Sequence, residues 1–216
     1  MNAEKQLIQV EKILKKTYPE AVISLKYKND MQLLVSVILS AQCTDKRVNI
    51  VTAELFKKYK SAEDFANADL KTFEQEIKST GFYRNKAKNI IASAKIIEEK
   101  FNGKIPKTMH ELLELPGVAR KTANIVLSNA HGINEGIAVD THVKRLSYRI
   151  GLSKNTNPEK IEKDLMLLTP RKNWNKITYL LIEHGRAVCR APRPYCSKCL
   201  LNKICPKNGV PENKRL

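Results

Sequence analysis

The 216-residue sequence has no apolar run near the ~18 residues that a membrane-spanning helix needs. Its N-terminus also lacks the apolar core of a secretory signal peptide. Residues 1–17 instead have the pattern of a charged amphipathic helix, with Leu7, Val10 and Leu14 on one face. Strand-like alternation, internal repeats and low-complexity segments are missing too. These absences predict a cytoplasmic all-α protein of roughly ten helices with no membrane association.

Acidic residues are scarce relative to basic ones. The chain has 39 Lys and Arg against 22 Asp and Glu, which gives a formal net charge of +17. Such a surface suits a polyanion, either nucleic acid or an anionic membrane. Because no membrane-binding element accompanies the charge, nucleic acid is the favoured partner. Charge alone does not indicate which nucleic acid.

Capping residues predict where most helices begin. Asn29-Asp30 precede residues 31–39, which are apolar nearly all round and favour a buried central helix, with a buried strand as the alternative. Ser61 and Asp69 have the character of N-caps and predict two short helices between residues 61 and 79. Further helices are predicted over residues 81–101, 158–168 and 174–184, the second of them introduced by Asn157-Pro158.

Residues 115–124, Leu-Pro-Gly-Val-Ala-Arg-Lys-Thr-Ala-Asn, join two short helical patterns. Thr108 and Glu111 have the spacing of a capping box at the start of the first helix. Pro116 and Gly117 end that helix, and a second one follows up to His131-Gly132. A helix start after a tight glycine turn presents backbone N–H groups that bind anions, here a nucleic-acid phosphate. A purely structural hairpin is the alternative.

Lys121 lies one turn into the second helix of this hairpin. At that position it is near the positive end of the helix dipole, where it can serve as a nucleophilic amine. An exposed, solvated lysine is the alternative, since the chain has many.

Four of the five cysteines form a C-x6-C-x2-C-x5-C pattern within 17 residues: Cys189, Cys196, Cys199 and Cys205. Disulfides are disfavoured because nothing suggests export. A zinc site usually pairs two two-residue knuckles, whereas this pattern has one. Four closely spaced thiolates suit an iron–sulfur cluster, which spacing favours only modestly over zinc. Cys43 stands apart and is interpreted as a small buried residue.

Basic residues surround the quartet, with eight Lys or Arg and one acidic residue over 184–216. On a loop held by a metal, Arg190, Arg193 and Lys198 would face phosphate. The alternative is that they only offset the charge of the thiolates.

Together these motifs resemble the endonuclease III family, helix-hairpin-helix DNA glycosylases that excise oxidised pyrimidines. The resemblance rests on residues 115–123, Val139-Asp140-Thr141-His142 and the cysteine quartet, and also includes residues 39–42 and 80–83. It implies a bilobal all-α fold with catalysis in the cleft between the lobes. A six-helix domain would span 22–135, with the hairpin at about 108–130. Residues 1–21 and 136–216 would form a four-helix domain whose residues 189–205 hold a [4Fe-4S] cluster.

The resemblance also implies roles for single residues. Lys121 matches the family's nucleophile and Asp140 its essential carboxylate. Gln42 matches the residue that fills the gap left by a flipped base, and Phe82 the apolar wedge, commonly leucine, in the opposite strand. Gly117, Ala119 and Arg120 belong to the DNA-binding hairpin, in which the family usually has glycine at the position of Ala119. The implied substrate is damaged double-stranded DNA, bound by a monomer in the cytoplasm with the nucleoid.

The residues themselves leave alternatives open. Asp140 followed by Thr141 can be a helix N-cap, alone or in addition to a catalytic role. Phe82 can be a core aromatic residue. His142 is interpreted as structural rather than as an acid or base. Among relatives in the superfamily, adenine glycosylases generally lack a lysine at position 121 and carry a further C-terminal domain, for which this chain leaves no room. The 8-oxoguanine glycosylases typically lack the cysteines. A non-catalytic DNA-binding module is the alternative from a different class.

Overall fold

A computed structural model describes residues 2–216, and within that range the chain forms eleven α-helices and no β-strand. The all-α class predicted from the sequence is confirmed. In chain order the helices α1 to α11 cover Ala3–Thr17, Asp30–Leu39, Asp45–Lys58, Ala62–Ala66, Leu70–Glu76, Tyr83–Phe101, Met109–Leu113, Arg120–Ala130, Thr141–Ile150, Pro158–Leu168 and Trp174–Ala187. Short 3₁₀ turns cover Lys78–Thr80, Arg171–Asn173 and Glu212–Lys214. Among the described residues, none of the helices has the length and apolar character required to cross a membrane.

The chain divides into two compact units. The central unit is Ser24–Glu135, and the terminal unit combines the residues up to Ile23 with Gly136–Leu216. The central unit contains α2 to α8, of which α4 and α7 have five residues each. The terminal unit contains α1 and α9 to α11.

Helix α2 is the buried centre of the central unit. The Asn29 side chain caps it by accepting a hydrogen bond from the Gln32 N–H at 2.9 Å. Every residue from Met31 to Leu39 is buried, so this helix has no solvent face. The prediction of a buried central helix is confirmed, and the strand alternative is wrong.

Two short helices of the central unit contribute to an aromatic cluster. Ser61 and Asp64 form a full capping box at the start of α4, and Asp69 caps α5. The Phe65 and Phe73 rings meet edge to face with centroids 6.0 Å apart, and the Tyr59 ring stacks on Phe65 at 5.2 Å. The two helices predicted between residues 61 and 79 are therefore present.

The terminal unit has its own apolar core. The predicted face of α1, formed by Leu7, Val10 and Leu14, is buried in that core. The Asn157 side chain caps α10, and Pro158 occupies its first turn, where the missing N–H costs nothing. After α11 the chain continues as the cysteine segment, residues 189–216, which has turns and one 3₁₀ turn but no α-helix.

Candidate functional site

The turn between α7 and α8 depends on Gly117. This residue has a φ of +80°, a conformation that residues with a side chain rarely adopt. A Cβ added there would lie 2.9 Å from Asn89 Nδ2 and 3.0 Å from Asn89 Cβ, both on α6. Both the backbone angle and the close approach of α6 therefore require glycine.

The start of α7 departs from the predicted capping box. The Thr108 hydroxyl accepts a hydrogen bond from the Glu111 N–H at 3.3 Å, as predicted. The Glu111 carboxylate, however, accepts a hydrogen bond from that same hydroxyl at 2.7 Å. It does not accept the second capping-box bond, from the Thr108 N–H. The cap is thus one-sided, because the two side chains pair with each other.

Ala119 is the N-cap residue of α8. Its backbone is extended, with φ −97° and ψ 169°, so alanine fits the position that the family usually gives to glycine. Alanine has no side-chain oxygen, and it makes no capping hydrogen bond to the first N–H groups of the helix. The start of α8 therefore offers backbone donors and the positive end of the helix dipole to an anion.

Lys121 is the second residue of α8 and is half-buried. The helix is fixed on its inner side by Ala123, Val126 and Leu127, all fully buried. Arg120, directly before the lysine, is half-buried as well. The amine is thus carried by a helix that the core of the central unit holds in place.

Asp140 is the N-cap residue of α9 in the terminal unit. Its Oδ1 accepts a hydrogen bond from the Val143 N–H at 2.7 Å, and the residue is half-buried. The capping interpretation is confirmed. His142, two residues on, contacts the Arg145 guanidinium through Nδ1 at 3.1 Å, in agreement with a structural role.

Gln42 and Phe82 lie in two loops of the central unit and share an unusual backbone. Both have positive φ, +53° and +49°, although neither is glycine. Gln42 is exposed, and Phe82 is 63% exposed. The alternative that Phe82 is a core aromatic residue is therefore wrong, because the residue is largely exposed.

Sequence analysis missed Lys86, which is buried beneath these two loops. Its ammonium donates hydrogen bonds to the Leu39 carbonyl at 2.8 Å and the Thr80 carbonyl at 2.9 Å. A signal was available in the sequence. Lys86 lies four residues before Ile90 and eleven before Ile97, so it is on the core face of α6.

All four cysteines of the quartet are free, half-buried and line one cavity. Burial raises the pKa of the Cys199 thiol to about 11, and the neighbouring thiols add to the effect. Burial also raises the pKa of Cys205. Among the described residues, no three or more Cys, His, Asp or Glu side chains are arranged as ready metal ligands. The four predicted ligands therefore meet at one cavity.

Two basic side chains that the motifs did not single out also line this cavity. Arg149 Nη1 is 3.5 Å from Cys189 Sγ and donates to the Arg190 carbonyl at 2.8 Å. His184 Nε2 is 3.4 Å from Cys199 Sγ, and burial lowers its pKa to about 4. Arg149 lies on α9, 40 residues before Cys189, and His184 lies on α11, five residues before it, so spacing within the cysteine pattern could not identify them.

The predicted phosphate-binding residues of the cysteine segment are exposed: Arg190, Arg193 and Lys198. Arg190 also stacks on the Tyr195 ring at 5.2 Å and donates to the Arg186 carbonyl at 3.0 Å. Part of its side chain therefore stabilises the segment itself.

Comparison with known proteins places these features in one family. The model of the HhH-GPD superfamily base excision DNA repair proteins matches residues 35–171. Endonuclease III of Synechocystis sp. is 56% identical over 90% of this chain and 89% of its own length. The chain belongs to the endonuclease III family. Membership makes it a base excision repair protein with DNA glycosylase and AP lyase activity.

Solved structures agree with this assignment. A non-covalent endonuclease III–DNA complex matches with a TM-score of 0.92 and 41% identity, covering 96% of this chain and 97% of that one. A trapped endonuclease III–DNA covalent intermediate matches with a TM-score of 0.91, 41% identity and the same coverage. The resemblance read from the short motifs is therefore confirmed at the level of family and fold.

Proposed function

We propose that the chain excises oxidised pyrimidines from damaged double-stranded DNA and then nicks the strand 3′ to the abasic site, with Lys121 as the nucleophile. The observation that carries the proposal is the placement of Lys121, a half-buried amine on an uncapped, core-anchored helix start. A trapped covalent intermediate of a structural neighbour with DNA supports an amine-dependent reaction. We propose further that the chain acts as a monomer in the cytoplasm.

The amine accounts for both activities. Neutral Lys121 Nζ attacks C1′ of the damaged nucleotide, and the N-glycosidic bond breaks with its electron pair leaving on the base, which takes up a proton. Opening of the sugar ring gives a protonated Schiff base between Nζ and C1′. This electron sink makes the 2′-proton acidic, so its loss drives β-elimination of the 3′-phosphate and cuts the strand. One residue thus serves as glycosylase nucleophile and lyase group.

Asp140 supplies the carboxylate. Breaking the glycosidic bond develops positive charge on the sugar, which a carboxylate stabilises. The same group can accept a proton from the Lys121 ammonium and so generate the neutral amine. Its capping bond to the Val143 N–H fixes the side chain, which keeps the carboxylate preorganised.

Gln42 and Phe82 act on the duplex. A base inside the stack is out of reach, so it must be flipped out and the gap filled. Both residues project from exposed loops, which suits Gln42 as the plug and Phe82 as the wedge between bases of the opposite strand.

Phosphate binding is assigned to two surfaces. In the hairpin, Gly117 and Ala119 allow the backbone N–H groups of α8 to approach a phosphate, and Arg120 adds charge. In the cysteine segment, Arg190, Arg193 and Lys198 add the second basic surface.

The cysteine quartet is proposed to hold a [4Fe-4S] cluster. The donor set fits, since four free thiols line one cavity and Arg149 lies against the sulfur of Cys189, where it offsets negative charge. Burial raises the pKa of the Cys199 and Cys205 thiols, so binding of a cluster there would release their protons. The cluster would supply a rigid link between distant parts of the segment.

The test is borohydride trapping on a duplex containing one thymine glycol. Wild-type protein is expected to form a covalent adduct and to nick the strand, because reduction captures the Schiff base. Lys121→Ala should abolish both products. Asp140→Asn should slow excision by at least about a hundredfold while keeping the fold, since asparagine caps a helix as well as aspartate does.

Lys95→Ala is the matched control, because Lys95 is an exposed lysine on α6. It should leave trapping unchanged. Base release without an adduct would indicate a water-using, monofunctional glycosylase and remove Lys121 as nucleophile. DNA binding with neither product would mean a docking module and would overturn the proposal.

A further inference from the structure

Lys86 is an unusual cation in this protein. Its side chain is buried, with 5% of the residue exposed, whereas lysine side chains are ordinarily in solvent. Two backbone carbonyl oxygens accept its hydrogen bonds, and no carboxylate pairs with it in the part of the chain that the structure describes. Desolvation lowers the pKa of the ammonium from its ordinary value. A group buried at such a cost points to a specific task.

The two acceptors are the last carbonyls of two helical elements. Leu39 ends α2, and Thr80 ends the 3₁₀ turn Lys78–Thr80. Carbonyls at helix ends have no partner within the helix and carry the negative end of the dipole. The Lys86 ammonium therefore provides a hydrogen-bond donor to the C-terminal carbonyl of both elements.

The end of each element is followed directly by a loop that contains a residue with a strained backbone. Gln42 follows Leu39 by three residues, and Phe82 follows Thr80 by two. Both have positive φ, which costs about 1–2 kcal/mol for a residue with a side chain. Such conformations persist only where the surroundings impose them. The Lys86 backbone N–H adds a restraint, since it donates to the Phe82 carbonyl at 3.1 Å.

We propose that Lys86 is a positioning residue that couples the two loops, so that Gln42 and Phe82 meet the duplex as one preformed unit. The inference rests on the insertion roles given to these residues under the proposed function. Hydrogen bonds from one ammonium to both loops restrict their conformations before DNA binds, which lowers the conformational entropy lost on binding. An apolar residue at position 86 would leave two buried carbonyls unpaired and release both loops.

The first measurement is amide hydrogen exchange of wild type and Lys86→Met. The variant should lose protection in residues 40–43 and 81–83 together, while the rest of the central unit keeps it. Lys95→Met is the matched control, because it removes an exposed lysine nine residues further along the same helix. Its exchange should equal that of wild type.

The second measurement compares substrates under single-turnover conditions at saturating protein. Excision of thymine glycol from duplex should fall by at least about tenfold in Lys86→Met, because the insertion residues are misplaced. Nicking at an abasic site in single-stranded DNA should change less than about twofold, since no opposite strand is present there for the wedge. Loss of both activities in equal measure would indicate a merely structural lysine and overturn the proposal.

Lys86→Arg provides the conservative variant and should retain protection in both loops, since it keeps a cation with several donors. Should Lys86→Met fail to fold, Lys86→Gln replaces it, because the glutamine amide lies one bond closer to the backbone than Nζ and is expected not to bridge both carbonyls, so both loops should again lose protection. Protection lost in one loop only, or lost uniformly across the central unit, contradicts coupling. A Gln42→Ala/Phe82→Ala variant that excises at the wild-type rate refutes the insertion roles themselves, independently of the exchange result.

Discussion

The central unit and the cysteine segment are stabilised in different ways. In the central unit, α-helices satisfy their own backbone groups, and apolar residues such as those of α2 fill the core. The cysteine segment has no α-helix over 189–216, and Leu201 and Val210 are among its few fully buried apolar side chains. Side chains from other parts of the terminal unit supply its missing bonds. Arg145 donates to the Cys189 carbonyl and Arg149 to the Arg190 carbonyl.

This contrast shows where each region draws its stability. The stability of the central unit depends on the burial of apolar side chains that its own helices supply. The cysteine segment buries too little to order about 28 residues by the hydrophobic effect alone, and such segments need a metal or disulfides. Its four thiols gather at one cavity, so we expect a group bound there to stabilise the segment.

The largest expected effect comes from removing one of the proposed cluster ligands. Cys199→Ser should abolish iron binding and the amide protection of 189–216, while the central unit keeps its protection. Excision should fall by at least about tenfold, because basic residues of the segment lose their positions. Iron and inorganic sulfide analysis, hydrogen exchange and single-turnover excision measure the three results.

Cys43→Ser is the control for this prediction, since Cys43 lies in the central unit outside the quartet. It should keep iron, sulfide and protection at wild-type levels. Zinc without sulfide in the purified protein would contradict the iron–sulfur assignment. Equal loss of protection in both regions would contradict the separation between them.

The converse prediction tests burial in the central unit. Leu34 is fully buried in α2, so Leu34→Ala should lower the free energy of unfolding of that unit by about 3 kcal/mol. Urea-dependent hydrogen exchange of α2 measures the change. Ile50→Ala on α3 serves as control, because Ile50 is 53% exposed and its loss should cost less than about 0.5 kcal/mol. Equal costs for the two would mean that burial does not determine the stability of this unit.

A smaller effect is expected from the hairpin turn. Gly117→Ala should lower the free energy of unfolding by about 1–2 kcal/mol because of the positive φ at this position. The contact of the new Cβ with the Asn89 side chain should add to that cost. Gly132→Ala is the matched control, since its φ is +67° but nothing lies within 4 Å of the added Cβ. Thermal unfolding gives both costs, and a DNA titration should show weakened binding only for Gly117→Ala. Equal effects of the two variants would exclude a role for the Asn89 contact.

Local rules explain how much of the fold the sequence predicts. Asn29 and Asn157 identify helix starts correctly, because capping depends on residues within one turn. Residues 31–39 are assigned correctly to a buried helix for a similar reason, since their pattern leaves no polar face. Sequence alone could not decide whether alanine fits at position 119. The extended φ of −97° answers that question.

Tertiary placement sets the limit of prediction for the site. Lys121 and Asp140 are identified through short motifs that resemble a family, and their catalytic roles remain predictions. Lys86 and Arg149 resemble any of the 39 basic residues in the sequence, because their importance comes from carbonyls distant along the chain. The exposure of Phe82 likewise depends on where its loop lies in the fold, which residue type does not reveal.

The smallest expected effect is a loss of stability of the central unit at alkaline pH. Burial raises the pKa of the Tyr59 phenol to about 12, with a hydrogen bond to Glu76 adding to the effect. Because the folded pKa lies above the unfolded value near 10, the stabilisation is complete below pH 10 and is lost as the pH rises towards 12. Tyr59→Phe removes this dependence and keeps the ring that stacks on Phe65. Its melting temperature should therefore fall less than that of wild type between pH 9 and 11, by a few degrees at most. Parallel curves for the two proteins would show that Tyr59 ionises equally easily in the folded and unfolded chain.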